Sequence, residues 1–148
     1  MSTFYHNILG KVEDAFEGII KALRGSELST VTFYKGGSAD DVVCDRIEIT
    51  CDADPEIVGA TVTGNYTCQV SIAVITNPGD NTRAEHQRRV AVVGDILFRD
   101  DVLAQIAALN PAVADLTVQQ WFPGRVSGAP IGGEYATTFT GELRCWPS

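Results

Sequence analysis

The residues of this chain that could do chemistry are few and scattered. His6 and His86 are the only histidines. His86 falls on the apolar side of a helical stretch, next to Glu85. A general base there needs a nucleophile or a substrate pocket within reach. The sequence implies neither, so His86 reads as a packed histidine at the edge of the core. Asp52, Asp54 and Glu56 alternate as calcium ligands can, but Pro55 and the missing turn glycine depart from an EF-hand loop. That segment reads as a solvated turn. Asp100-Asp101 reads as a helix N-terminus, where carboxylates meet the positive end of the helix dipole. Cys44, Cys51, Cys68 and Cys145 contain no C-x-x-C pair and lack the spacings of a zinc site. They are expected to be reduced, mostly buried thiols acting as small hydrophobes. The glycine-rich stretches at Gly36-Gly37 and 124–133 have no Gly-Lys-Ser/Thr, and neither runs from a strand into a helix as a dinucleotide turn does. No catalytic constellation, metal site or cofactor site is implied.

What remains is surface. The stretch 124–133 reads as a long hairpin tip whose only charge before Glu134 is Arg125. Trp121, Phe122 and Ile131 frame it with apolar area. Trp146 falls at an outward position of the last strand, where an indole left wet is costly and suits a helix or a second subunit. Trp121, Phe122, Arg125, Ile131 and Trp146 are therefore the candidate interface residues.

The elements that position these residues follow from periodicity. Phe4, Ile8, Val12, Ala15, Phe16, Ile19 and Leu23 repeat at spacings of three and four, which predicts a helix over about 3–24 ending near Gly25. Thr30–Tyr34 is a possible short strand. From about Val42 to Cys51 the chain alternates, with Val43, Ile47, Ile49 and Cys51 on one face, and Asp52-Ala53-Asp54-Pro55 is expected to break the strand. Val62, Gly64, Tyr66, Cys68, Val70, Ile72 and Val74 then alternate with polar residues over about 15 residues, against a usual strand of about 5–6. Asp80 or Asn81 can cap a helix to about Phe98, with His86, Val90, Val93 and Leu97 inward. A shorter helix carries Val102, Ile106 and Leu109. Two strands close the chain. In the first, Leu116, Val118, Gln120 and Phe122 share one face, with Thr117, Gln119 and Trp121 on the other. The second runs from Tyr135 to Cys145. The order α-β-β-α-α-β-β predicts a single α+β domain over 1–148, with helix 3–24 leading and the sheet and helices over about 42–147. Its sheet is mostly antiparallel, of about four strands, with helices on one face.

The chain has 148 residues, enough for one domain to bury a core unaided. No apolar run reaches the roughly 20 residues of a membrane span, and the first residues show no signal peptide. The net charge of −8 argues against a general nucleic-acid binder. It suits solubility, or a surface that repels DNA over a Debye length of about 8 Å.

Several local features occur in a telling order. They are Cys44–Asp52, Asp54-Pro55-Glu56, Gly64-Asn65-Tyr66, Thr76–Arg83 opening a helix, Val93-Gly94-Asp95-Ile96-Leu97, and a closing Leu143-Arg144-Cys145-Trp146-Pro147. Together they resemble the tail terminator and neck proteins of tailed bacteriophages, over most of the chain after about Asp40. The resemblance implies a structural virion protein, assembled in the bacterial host cytoplasm, that forms a usually hexameric ring on the head-proximal end of the tail tube. Such a ring stops tube polymerisation and docks the head-completion or connector proteins. In contractile tails it can touch the sheath. DNA passes through it without specific binding, and no membrane or cofactor is involved. Three other readings stay open. One is a head-tail connector or head-completion protein. Another is a small enzyme whose site forms between subunits from carboxylates such as Asp45 and Glu48. The third is a ligand-binding module with a large apolar pocket.

Overall fold

The computed structural model describes residues 8–36, 44–77, 83–109, 116–128 and 134–147. Helix α1 (Ile8–Leu23) presents Ile8, Val12, Ala15, Phe16, Ile19 and Ile20 as a fully buried stripe. Each large side chain in such a stripe contributes roughly 1.5–3 kcal/mol on burial, enough to hold a helix that Gly10 and Gly18 weaken by about 1 kcal/mol each. Gly25, in the left-handed conformation, follows its end. The predicted Phe4 lies outside the described residues.

Five strands form one sheet in the order β1-β2-β3-β5-β4. Strand β1 (Thr32–Lys35) pairs parallel with β2 (Arg46–Val58), and the other pairings, with β3 (Thr61–Thr76), β4 (Leu116–Ser127) and β5 (Tyr135–Pro147), are antiparallel. The α+β class and the mostly antiparallel sheet are as expected, but the strand count is one higher. The short 32–35 segment is a genuine edge strand, pinned to α1 because Lys35 bridges Asp14 and Glu17. Helices α1, α2 (Arg83–Leu97) and α3 (Val102–Leu109) pack on one face of the sheet. That face carries Ile47, Ile49, Cys51, Tyr66, Cys68, Val70, Ile72, Val74, Phe139, Leu143 and Cys145, all buried. The Cys68 and Cys145 sulfurs lie 3.8 Å apart, in hydrogen-bond contact and not joined as a disulfide. Hydrogen bonding toward Cys68, and burial, push the Cys51 and Cys145 thiols up. These three cysteines are core residues, as their strand positions predict. Asp101 caps α3. Its carbonyl accepts from Gln105 N at 2.9 Å, and its carboxylate, bonded by Arg99 and Gln105, is held down at about 2.

Three expectations change. Asp52–Pro55 does not break β2, which continues to Val58 and turns through Gly59, in the left-handed conformation, into β3. Pro55 is tolerated because of where its missing N–H would point. The carbonyls of Asp45 and Ile49 accept from Thr32 and Gly36 on the outer side, so odd-numbered β2 residues face away from β3, and proline costs no ladder bond there. Secondly, residues 124–127 are not a hairpin tip but the end of β4; Ile131 and the rest of 129–133 lie outside the described residues. Thirdly, the faces of β4 are exchanged partway along. Val118 pairs with Cys145, but Gln120 pairs with Arg144, so one extra residue is accommodated. A one-residue shift sends the following side chains to the opposite face, until a second shift between Pro123 and Val126 returns Val126 to the face of its partner Phe139. Trp121 therefore points inward and Phe122 outward, the reverse of strict alternation.

Trp121 consequently ties the layers together. Its ring lies 4.8 Å from that of Phe16 in α1, and its Nε1–H donates to the Leu97 carbonyl at the end of α2 (2.9 Å). The ring crosses β5 where Gly141 has no side chain; a Cβ there would fall 2.3 Å from the indole. Gly141→Ala should cost about 1–3 kcal/mol, as overpacking of a tight core does, read as a lower urea midpoint at unchanged slope.

Candidate assembly interface

The five residues singled out by sequence divide between inside and outside. Trp121 is held within its own chain, against Phe16 and the Leu97 carbonyl. Phe122 is exposed on the helix-free face of the sheet, with the Arg144 guanidinium 5.6 Å above its ring. Arg125 is exposed near the end of β4, and its carbonyl accepts from Thr140 Oγ1. Trp146 is half-buried opposite Thr117, on the same helix-free face as Phe122. Phe122, Arg125 and Trp146 thus lie along one margin of the sheet, formed by the edge strand β4 and its neighbour β5. Ile131 lies outside the described residues.

A second surface lies where β2 and β3 run past the other strands. Sixteen residues of β3 span about 53 Å at 3.3 Å per residue, whereas the 16 residues of α1 cover about 24 Å. Strands therefore outrun their cover. β3 stops pairing with β5 at Tyr66, and β1 stops pairing with β2 at Ile49. Beyond those points the β2–β3 hairpin continues as an arm. A bulge between Pro55 and Ile57, with Gly64 at φ 90°, bends the arm at its base. Glu56 fastens the bulge by accepting from Asn65 Nδ2 (3.0 Å). The alternation read from sequence continues into the arm, but with nothing over it among the described residues: Ile57 and Val62 form an exposed cross-strand pair beside Val58. The length of β3 signalled an overhang; which residues formed its tip was hidden by the expected break at Asp52–Pro55.

The buried polar groups sit at the opposite end of the sheet, and they engage each other. Arg89 is buried on α2 and donates to Asp45 Oδ2 (2.9 Å) and to Thr76 Oγ1 (3.4 Å). The His86 ring nitrogens contact Thr76 Oγ1 (2.8 Å) and Thr137 Oγ1 (3.0 Å), and the ring stacks on Tyr135. With the Nε2–H tautomer the chain is consistent throughout: Arg89 donates to Thr76, Thr76 to Nδ1, and Nε2 to Thr137. Thr76 is 0% exposed, so its hydroxyl meets no substrate. His86 is thus the packed core-edge histidine that its position predicted. Nearby, buried Arg46 is held between Glu48 (2.6 Å) and Glu134 (3.1 Å). Asp45 and Glu48, the carboxylates considered for an inter-subunit site, each bond an arginine of their own chain. Arg88, the neighbour of Arg89, is exposed and pairs loosely with Glu27, and Arg89 turns inward. Its i+3 spacing from inward-facing His86 was the available signal.

The cavity beside His86 holds about 200 Å³ and has Arg83, Gln87 and Tyr135 in its wall. That is below the roughly 300–1,000 Å³ of small-molecule sites. An open groove of about 330 Å³ near Ile96 is rimmed by Asp95 and Arg99. Neither is the large apolar pocket of a ligand-binding module. Among the described residues, no helix is long and apolar enough to cross a membrane, and no cluster of metal-ligating side chains occurs.

No protein-family model matches the chain, and no curated protein matches its sequence. Its fold is similar to that of a chain in the virion of a native gene transfer agent (GTA) particle. The TM-score is 0.58 at 13% identity, covering 88% of this chain and 93% of that one. At that identity the likeness is one of fold, and it extends over nearly the whole of both chains.

Two measurements check the polar end. Arg89→Ala leaves Asp45 and Thr76 without their buried partner and should cost about 3 kcal/mol in urea unfolding. Burial, and then the charge of Arg89, push the His86 imidazole below its ordinary 6.5. Above pH 6.5 this group adds no pH dependence. As pH falls through 6.5 the unfolded chain takes up a proton that the folded chain refuses, so stability drops toward the lowered value. His86→Gln should flatten the melting temperature against pH between about 7 and 5.5.

Proposed function

We propose that the chain is a structural subunit of a tailed-phage-like virion, and that it forms the ring capping the head-proximal end of the tail tube. The fold shared with a GTA virion chain over 88% of this chain is the observation that carries the reading. The ordered local features from Cys44 to Pro147, which resemble tail terminator and neck proteins, support the same assignment. Two different exposed surfaces, one on edge strand β4 and one on the projecting β2–β3 hairpin, suit it physically, because a ring needs two different patches per subunit that meet head to tail and close by rotation. In this reading Phe122, Arg125 and Trp146 lie at a subunit or partner contact. The tail tube protein lies below the ring and the head-completion or connector protein above it, with the sheath beside it in a contractile tail. The charge of −8 lets DNA pass without being retained. The chain performs no catalysis in this role; its buried titratable groups are consumed in holding the sheet to α2.

A head-tail connector or head-completion protein shares the ring and the virion, and differs in its neighbour. Purified protein added to polymerising tail tubes separates the two, with electron microscopy as the readout. Capped tubes of fixed length are expected. Tube growth unchanged by the protein, together with binding to isolated heads, would transfer the assignment to the connector.

A further inference from the structure

Strand register assigns the exposed side chains of the sheet to faces. On the helix-free face, Asp52, Gln69, Glu142 and Phe122 form one cross-strand row, and Asp54, Thr67, Arg144 and Gln120 form the next. Trp146, opposite Thr117, follows the second row on the same face. The rows divide by chemistry. Aromatic and guanidinium groups gather on β4 and β5, where Arg144 lies 5.6 Å from the centre of the exposed Phe122 ring. Exposed carboxylates stand on β2, three strand spacings or roughly 14 Å from β4. Aromatic side chains beside an arginine are the composition of interface anchors.

The chain itself does not balance the charge of these rows. Arg144 is already shared between Glu142 and Gln120 Oε1, each at 3.4 Å. Asp52 and Asp54 form no ion pair among the described residues. Three carboxylates thus face one guanidinium. A second copy has little with which to answer them. Seven of its eleven lysines and arginines are in ion pairs within the chain. The other four are spread over α1 (Lys11), the segment after it (Arg24), α2 (Arg83) and β4 (Arg125). The net charge of −8 on each copy opposes a self-contact at this face, and the phosphates of nucleic acid are repelled in the same way. A basic protein surface remains as the complement.

We propose that the helix-free face docks a basic partner protein, with Phe122 and Trp146 seating its apolar side chains and with Asp52 and Asp54 accepting from its lysines or arginines. The ring reading, on which this rests, supplies the occupant: the exposed end of the tail tube. From Thr138 to Trp146 and across four strands the face offers roughly 500 Å², so a partner laid flat on it buries about 1,000 Å² in total, enough for a specific contact. A cation and an apolar group held about 14 Å apart select the partner by pattern as well as by charge.

Co-sedimentation of the full chain with tail tubes, at about 50 and about 300 mM salt, tests the contact. Asp52→Asn/Asp54→Asn and Phe122→Ser alter the face. Glu27→Gln/Asp95→Asn removes the same charge from exposed positions beside the helices. Each variant is checked for an unchanged melting temperature. The double asparagine variant should bind about ten-fold more weakly than wild type at low salt and lose most of the salt dependence. Phe122→Ser should lose about ten-fold at both salts, and the control pair less than about two-fold. Asparagine variants that bind like wild type overturn the contact, and wild-type capping then leaves the ring reading standing. An equal loss in the control pair overturns it too, because net charge and not this face would then set binding. Variants that reach the tube end as single subunits but no longer close rings, seen by electron microscopy, would assign the face to a second copy. Wild-type protein that binds no tubes overturns the capping role and, with it, the tube as occupant.

Discussion

The strand pair β2–β3 is longer than anything that covers it, and most of the structure follows from that mismatch. Strand residues advance at about twice the rise of helical ones. An antiparallel pair that runs, with one bulge, from Arg46↔Ile75 to Val58↔Thr61 must therefore extend beyond a layer of three helices. Where the helices lie above it, its alternating apolar residues become the core. Where they end, the same alternation continues as exposed Ile57 and Val62.

The polar end of the sheet does the opposite job. There the inner face of α2 is not apolar but presents His86 and Arg89, and the sheet answers with Asp45, Thr76 and Thr137. A buried network of this kind adds little net stability compared with a hydrophobic replacement, yet losing one member is costly. Its use here is positional. It docks α2 against the ends of β3 and β5 at one place, while Trp121 fixes the other end of α2 through the Leu97 carbonyl. The groups most suggestive of acid-base chemistry are thereby engaged in holding the fold, which leaves the margins of the sheet as the surfaces with unspent binding capacity.

The ends and edges of the sheet differ from one another. Edge strand β4 leaves Phe122 and Arg125 exposed, whereas Ile57, Val58 and Val62 are exposed where β2 and β3 run past the other strands. Among the described residues, no helix covers the sheet face that carries Thr67, Gln69, Thr138 and Thr140.

Sequence by itself determined the α+β class, the inward faces of α1, α2 and β3, the burial of Cys51, Cys68 and Cys145, the packed nature of His86 and the unusual length of β3. All of these depend on periodicity or on local composition, which are written in consecutive residues. Tertiary structure alone decided three other matters. Asp52–Pro55 stays in the strand because Pro55 faces the outer edge, a fact about neighbours rather than about proline. Trp121 turns inward and Phe122 outward because a bulge after Val118 shifts the register, and because Gly141, twenty residues later in the chain, leaves room for the indole. Arg89 is buried because Asp45 lies across from it on another element. In each case the deciding partner is distant in sequence and adjacent in space, so strict alternation of a single strand could identify the interface region near β4 but not which of its two aromatic residues faces out.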